Sequence, residues 1–334
     1  MNFAVTLLQW FKNNGRSLPW RETKDAYAIW LSEVILQQTR IVQGMSYWER
    51  FMAQWPTVND LAAATENEVL KAWQGLGYYS RARNLHTAAQ QVMELGGFQQ
   101  TFKELKTLKG VGDYTAAAIA SIAFGEPVAV VDGNVYRVLS RYFGIDTPID
   151  STEGKKEFQA LAQSLLPINE PADYNEAIMD FGATQCTPNS PHCSACPLCE
   201  TCVAFREQRI NELPVKSKKV KQRERHFTYL YIEYEGKIAI HQRGAGDIWQ
   251  GLWEFPQEEH LTSSEDSAWK TEAQLLQKGV KHILTHQILL ADIYLWQPTR
   301  RPQLPSEFIW IEKQDLENYA LPRLIEILLK AVPA

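Results

Sequence analysis

The 334-residue chain carries 45% hydrophobic residues and 11 tryptophans, enough for about two separately cored domains. Its net charge of −5 argues against a uniformly basic nucleic-acid binder, though not against one basic face. No stretch reaches the ~18 uninterrupted apolar residues of a membrane span. Met1–Lys12 has no basic n-region, so the expectation is a non-exported protein in a reducing cytoplasm, with free thiols.

Residues 1–206 read as mostly helical. The N-terminal stretch is amphipathic, and Leu61–Trp73 and Asn84–Leu95 repeat apolar residues at three- and four-residue steps. The segment Trp30-Leu31-Ser32-Glu33-Val34-Ile35-Leu36-Gln37-Gln38-Thr39 puts Glu33 one turn after Ile29 and Trp30, on the border of a core face. An exposed helix glutamate is the plain reading. A half-buried carboxyl instead has a raised pKa and can give up a proton near neutral pH.

Further on, Leu108-Lys109-Gly110-Val111-Gly112-Asp113-Tyr114 lies between helical segments. Its glycines permit a tight turn and a close approach, and they open the helix Thr115–Phe124, whose N-terminus favours an anion. On the glycines alone an ordinary helix–helix turn is the plain reading; in full, Leu-x-Gly-Val-Gly is the signature of a helix-hairpin-helix, which grips a DNA phosphate without reading bases. Pro127–Val131 is the one strand-like run in this half. Asp132 follows, before the apolar helix Val135–Phe143. It reads as an N-cap, or as a carboxylate held ionised opposite a substrate that becomes cationic.

All five cysteines fall between Cys186 and Cys202. That density is wrong for a disulfide framework in a chain this long and suits a metal or an iron–sulfur cluster. Zinc is the competing occupant, because C-x2-C pairs also build tetrahedral sites. Cys193, Cys196, Cys199 and Cys202 sit at even intervals and suffice as ligands by spacing alone. Residues 207–226, basic from Pro214 to Arg225, read as a linker that can also touch phosphate. From Phe227 the pattern turns strand-like at 227–234, 237–241 and 288–296, with a closing helix at 322–332, giving a second, α+β domain.

Together these motifs resemble the helix-hairpin-helix DNA glycosylases that carry a four-iron cluster, and among them the MutY-type adenine DNA glycosylases. The match rests on the spacing of the hairpin and Asp132, on C-x6-C-x2-C-x5-C, and on the 30–39 segment. It covers residues 5–206 closely and the second domain more loosely. It implies a multidomain fold: an all-α helix-hairpin-helix glycosylase domain over 1–206, with its hairpin at 108–114 and its cluster loop at 186–202, then a linker and a Nudix-like domain over 227–334.

The resemblance also assigns roles. Cys186, Cys193, Cys196 and Cys202 become ligands of a [4Fe–4S] cluster, and Cys199 is left free. Glu33 becomes the general acid that protonates the adenine ring and then activates water. Asp132 faces an oxocarbenium-like sugar and Asn134 helps hold it, as in two-carboxylate glycoside hydrolysis. Tyr114 stands where lyase relatives place a lysine nucleophile, and a phenol cannot form an imine. Trp20, Arg21 and Glu176 match the adenine pocket.

Because the adenine must be flipped out of the duplex, Gln38 matches a residue that fills the stack, and Tyr78, with Leu76 nearby, matches an intercalating wedge. Gly110 and Gly112 match the phosphate grip, and Arg81 and Arg83 are placed to neutralise phosphates. Trp249–Pro256 marks the Nudix-like domain, whose acidic metal helix is missing. Thr285 and His286 correspond to a loop that reads 8-oxoguanine, with Leu284 in place of its aromatic residue.

The resulting expectation is a monomeric, cytoplasmic, nucleoid-associated enzyme. It removes adenine opposite 8-oxoguanine or guanine in double-stranded DNA. An endonuclease III-like glycosylase/lyase for oxidised pyrimidines and a non-catalytic iron–sulfur DNA-binding protein are the rival readings.

Overall fold

The computed structural model describes residues 2–217, 222–261 and 263–333. The chain forms two compact units, and their boundary does not follow chain order. One unit is Met1–Ala63 with Thr87–Lys218; the other is Ala64–His86 with Lys219–Ala334.

The helices of the first two-thirds run, in order, α1 (Phe3–Asn14), α2 (Ala26–Ile35), α3 (Ile41–Gln54), α4 (Val58–Ala63), α5 (Glu66–Trp73), α6 (Ser80–Glu94), α7 (Phe102–Leu105), α8 (Asp113–Phe124), α9 (Gly133–Phe143), α10 (Thr152–Leu165), α11 (Pro171–Asp180) and α12 (Val203–Arg206). In the first unit α8 is the central rod. Every residue from Thr115 to Ile122 is buried, and five of those from Thr115 to Ala120 are small. That composition lets α8 pack against α2, α7 and α11 at once. The core adds Leu7 of α1, Val135 and Leu139 of α9, Phe158 of α10 and Tyr174 of α11.

Pro127–Val131, strand-like in sequence, joins no sheet. Side-chain amides satisfy its backbone instead. Gln163 Oε1 accepts from Ala129 N (3.0 Å), Asn175 Oδ1 accepts from Val130 N (3.1 Å), and Asn175 Nδ2 donates to Val128 O (2.9 Å). Extended apolar sequence needs a backbone partner, and here that partner is two helices rather than a strand.

The second unit holds strands β1 (Arg223–Tyr234), β2 (Lys237–Gln242), β3 (Trp253–Glu254), β4 (Gln274–Ile283), β5 (Gln287–Trp296) and β6 (Phe308–Glu312), with α13 (Ser263–Glu272) before β4 and α14 (Arg323–Leu328) at the end. The sheet order is β3-β2-β1-β5-β4, β6 also pairs with β2, and β1 and β5 run parallel. Tyr229 and Tyr231 of β1 face the α14 core, while Leu230 and Ile232 face Trp269 of α13. That two-sided burial is why β1 reads as a continuous apolar run.

β1 begins at Arg223, so the expected linker gives its last residues to the sheet; residues 218–221 lie outside the described residues. The part before them is docked on the first unit. Leu213 is buried and its carbonyl accepts from Arg141 Nε at 3.1 Å. The closing helix is shorter than expected, as α14 gives way to a 3-10 turn at Leu329–Ala331.

Candidate active site and cysteine loop

A cavity of about 440 Å³ opens within the first unit. Four structural elements bring its chemistry together: Glu33 from α2, Tyr114 from the first turn of α8, Asp132 and Asn134 from the start of α9, and Glu176 from α11, with Trp20 and Arg21 from the turn before α2.

Glu33 lies on a helix buried along its whole length and is itself 9% exposed. Burial pushes its pKa up to about 7; Asp132 and Glu176 push the same way, against the Tyr114 hydrogen bond and Arg21. The Tyr114 hydroxyl donates to Glu33 Oε2 and also lies 3.5 Å from Met179 Sδ. Burial and the Glu33 carboxylate hold the phenol well above its ordinary pKa, so it stays a donor.

Asp132 is both the helix cap and a wall of the cavity. Its Oδ1 accepts from Asn134 N and Val135 N, each at 2.8 Å, and its Oδ2 accepts from Asn134 Nδ2 at 2.8 Å. Burial raises its pKa, and these three bonds oppose the rise. The two readings of Asp132 from sequence are therefore compatible.

Arg21 is fixed by Asp180, with bonds of 3.0 and 2.8 Å, and stands 3.6 Å from Glu176. Asp180 is fully buried and also takes Arg16, and those partners hold its carboxyl below the usual range despite its burial. Asp180 carries no motif and was missed in the sequence. Trp20 is buried and packs its ring 5.5 Å from that of Trp48.

Arg137 and Arg141 were also missed. From α9, Arg137 donates to Asn134 Oδ1 (2.8 Å), Gly182 O (2.6 Å) and Cys186 O (2.8 Å). One guanidinium thus ties the Asn134 amide, on the cavity wall, to the cysteine loop. Arg141, one turn on, donates to Thr187 O and Pro188 O and lies 3.5 Å from Cys186 Sγ. Two arginines four residues apart, amid Val135, Val138 and Leu139, were the available signal.

The five thiols line one small cavity with Val138, Phe181, Leu198 and Phe205. Among the described residues no three Cys, His, Asp or Glu side chains gather tightly enough for a single metal ion. The donor set is soft sulfur, set in an apolar wall beside the Arg141 cation. Such a donor set suits thiolate ligation of a metal or an iron–sulfur cluster.

The hairpin is formed as expected. Gly110 has φ +74°, which only glycine adopts freely, and extended Gly112 caps α8. Gln38 has φ +58° at the turn after α2.

In the second unit, Tyr78 (φ +49°) is 51% exposed, and its hydroxyl lies 2.8 Å from Thr285 Oγ1. Leu76 is buried, so it shapes this turn from inside instead of being presented beside Tyr78. Thr285 and His286 form the exposed tip between β4 and β5, where Leu284 N donates to Gln287 O at 2.8 Å and Leu284 packs on the core. Tyr78, Thr285, His286 and Trp249 border a cavity of about 390 Å³. Arg83 is engaged by the Gln250 carbonyl, and Arg81 sits over the Trp73 ring. Both guanidinium groups thus have structural work within the unit.

Residues 31–167 match the HhH-GPD superfamily of base excision DNA repair proteins, and residues 228–331 match the NUDIX domain. The chain is 36% identical over 391 residues to the adenine DNA glycosylase of Mus musculus, covering 96% of this chain and 75% of that protein. The chain belongs to the adenine DNA glycosylases. It is 45% identical over 223 residues to the adenine DNA glycosylase of Homo sapiens, covering 63% of this chain but only 40% of that longer protein. A solved thermostable thymine-DNA glycosylase superposes with a TM-score of 0.57 at 31% identity, over 61% of this chain and 95% of that one.

Adenine DNA glycosylases of this type generally contain iron and sulfur, in keeping with the donor set at Cys186–Cys202. Among the described residues, no helix is long and apolar enough to cross a membrane.

Proposed function

We propose that this adenine DNA glycosylase hydrolyses the N-glycosidic bond of adenine opposite 8-oxoguanine, and less readily opposite guanine, leaving an abasic site without cutting the strand. The observation that carries the reading is Glu33: a buried carboxyl whose pKa is pushed up to about 7, in a cavity that also holds the carboxyl of Asp132. Adenine leaves poorly until a ring nitrogen is protonated. A general acid poised at the working pH meets that need. As the bond to the sugar breaks, positive charge develops there, and Asp132, itself buried, supplies the opposing charge. Asn134, bonded to both Asp132 and Arg137, holds that carboxylate in place. Glu33, once deprotonated, is suited to orient water for attack. Arg21, Glu176 and Trp20 bound the space for the flipped base.

Tyr114 has no amine, so the chain lacks a Schiff-base nucleophile at this position, which favours a monofunctional hydrolase over a lyase. Gly110, Gly112 and Gln38 are assigned to the DNA backbone and stack, Tyr78 to the wedge, and Thr285 with His286 to the oxidised purine. Cys186, Cys193, Cys196 and Cys202 are assigned to a [4Fe–4S] cluster, which would fix the loop that Arg137 and Arg141 grip. The domain boundaries proposed are 1–206, 207–226 and 227–334, in a monomeric cytoplasmic enzyme that works on the nucleoid.

One assay tests the reading. Single-turnover base release is measured on duplexes with A·8-oxoguanine, A·G and an oxidised pyrimidine, with and without hot alkali. Adenine release whose strand breaks appear only after alkali is expected. Efficient borohydride trapping, or preference for the oxidised pyrimidine, overturns it.

A further inference from the structure

The four-iron pattern leaves one cysteine over, yet Cys199 is not set apart from the other four. It shares their intermediate burial and lines the same cavity. A second observation concerns the backbone. Cys193–Ala195 and Cys199–Thr201 form two successive 3-10 turns. Each opens on a cysteine whose carbonyl accepts from the N–H of the cysteine three residues on: Cys196 N to Cys193 O at 3.2 Å, and Cys202 N to Cys199 O at 3.3 Å. The closing residues match, with φ −80°, ψ 125° at Cys196 and φ −72°, ψ 117° at Cys202. A bond from Cys199 N to Cys196 O at 3.2 Å joins the two turns into one ladder. Cys199 therefore holds in the second turn the place that Cys193 holds in the first.

We propose that Cys199 is a reserve ligand for the iron that Cys193 binds. This rests on the [4Fe–4S] reading above. The geometry singles out Cys193 as the thiol it replaces. Cys186 is held from outside the ladder by Arg137 and Arg141. Cys196 and Cys202 occupy the closing position of each turn, and Cys202 Sγ is engaged with Arg141 O at 3.4 Å. Among the cysteines, only Cys193 and Cys199 are the first residue of a 3-10 turn. The exchange is redox-neutral: one iron–sulfur bond is lost at Cys193 and one forms at Cys199, the Cys199 thiol gives up its proton, and the released Cys193 thiolate takes one up from solvent. With Cys199 engaged, the ligand set is Cys186, Cys196, Cys199 and Cys202, still four thiolates on the same loop.

The test uses the full-length protein, purified without added metal, as wild type, Cys199→Ser, Cys193→Ser, Cys193→Ala, Cys196→Ser and the double variant Cys193→Ala with Cys199→Ser. Iron, acid-labile sulfide and visible absorbance per chain are the readouts. Wild type and Cys199→Ser should match. Both Cys193 variants should keep roughly half or more of the wild-type iron, while the double variant and Cys196→Ser should fall about fivefold or further. The alanine change removes any serine oxygen as a substitute ligand. Equal iron in Cys193→Ala and the double variant, at whatever level, overturns the proposal, and so does iron loss from Cys199→Ser alone. Wild type free of iron and sulfide overturns the cluster reading itself, a separate result.

Discussion

The hydroxyl of Tyr114 donates its hydrogen bond to the carboxyl of Glu33, joining the first turn of α8 to the last turn of α2 inside the candidate active-site cavity. The bond works against the burial that raises the Glu33 pKa. Its removal therefore moves that pKa further up. The base-release rate of the wild type should fall as pH rises through about 7, when Glu33 gives up its proton. In Tyr114→Phe the falling limb should lie at higher pH, with folding intact. Single-turnover rates from pH 5.5 to 9 check this, and coincident limbs would separate the phenol from the acid.

Glu33→Gln keeps the shape and loses the proton. Base release should drop roughly 100- to 10,000-fold, with duplex affinity little changed. Stability should move the other way. The folded pKa of Glu33 is above the unfolded value, so the wild type loses stability as pH rises from about 4.5 through about 7. Glutamine carries no such loss. In urea titrations the variant should gain about 3 kcal/mol on wild type at pH 8, and little at pH 4.5. A pH-independent difference would mean that Glu33 is not forced to ionise in a buried site.

Asp132→Asn should separate capping from charge. The two cap bonds end on Oδ1, which an asparagine oxygen can reproduce, but at Oδ2 the acceptor for Asn134 Nδ2 is replaced by a second amide NH2 donor. The expected cost is about 1 kcal/mol in thermal unfolding, against a rate loss of roughly 100-fold or more from the missing negative charge. A stability loss with turnover preserved would reduce Asp132 to a cap.

Arg137→Lys keeps the charge and loses the fork. One ammonium cannot serve Asn134 Oδ1, Gly182 O and Cys186 O together. Turnover and iron content should therefore fall together, because the same side chain holds both ends. A variant with full iron and impaired turnover, or the reverse, would show the two ends to be independent.

Thr285→Val removes the hydroxyl that meets Tyr78. With Thr285 and His286 reading the oxidised purine, the A·8-oxoguanine rate should fall toward the A·G rate, and adding His286→Ala should narrow the gap further. An unchanged ratio in both variants would leave the tip as a hairpin closure only.

Much of the site was legible because the chemistry sits where local rules are strong. Gly110 and Gly112 mark a turn, Asp132 marks a helix start, and the cysteine spacing marks a cluster loop. Glu33 was readable from its apolar neighbours, although its burial followed only from packing. Asp180, Arg137 and Arg141 were not legible, since each works through partners between 3 and 164 residues away and has no motif of its own. Strands β4 and β6 were missed for a different reason. β4 is largely exposed and interrupted by register shifts, and β6 has five residues, so neither shows a clear alternation. Residues 127–131 erred in the opposite direction: the right pattern for a strand, with amides as partners.

The boundary of the second unit has a historical consequence. Residues 64–86 lie early in the chain, yet Lys71 donates to Tyr319 O, Gln242 donates to Asn67, and Gln74 meets Glu326 within that unit. A C-terminal domain that needs a clasp from the N-terminal third cannot be gained, lost or exchanged like a bead on a string. Substitutions in 64–86 answer to both halves of the gene, and a chain truncated after residue 217 uncovers the clasp as well as removing the sheet. Tyr78 and Thr285 also fall in that one unit, so a hydrogen bond between residues 207 positions apart in sequence depends on the early segment staying folded onto the late one.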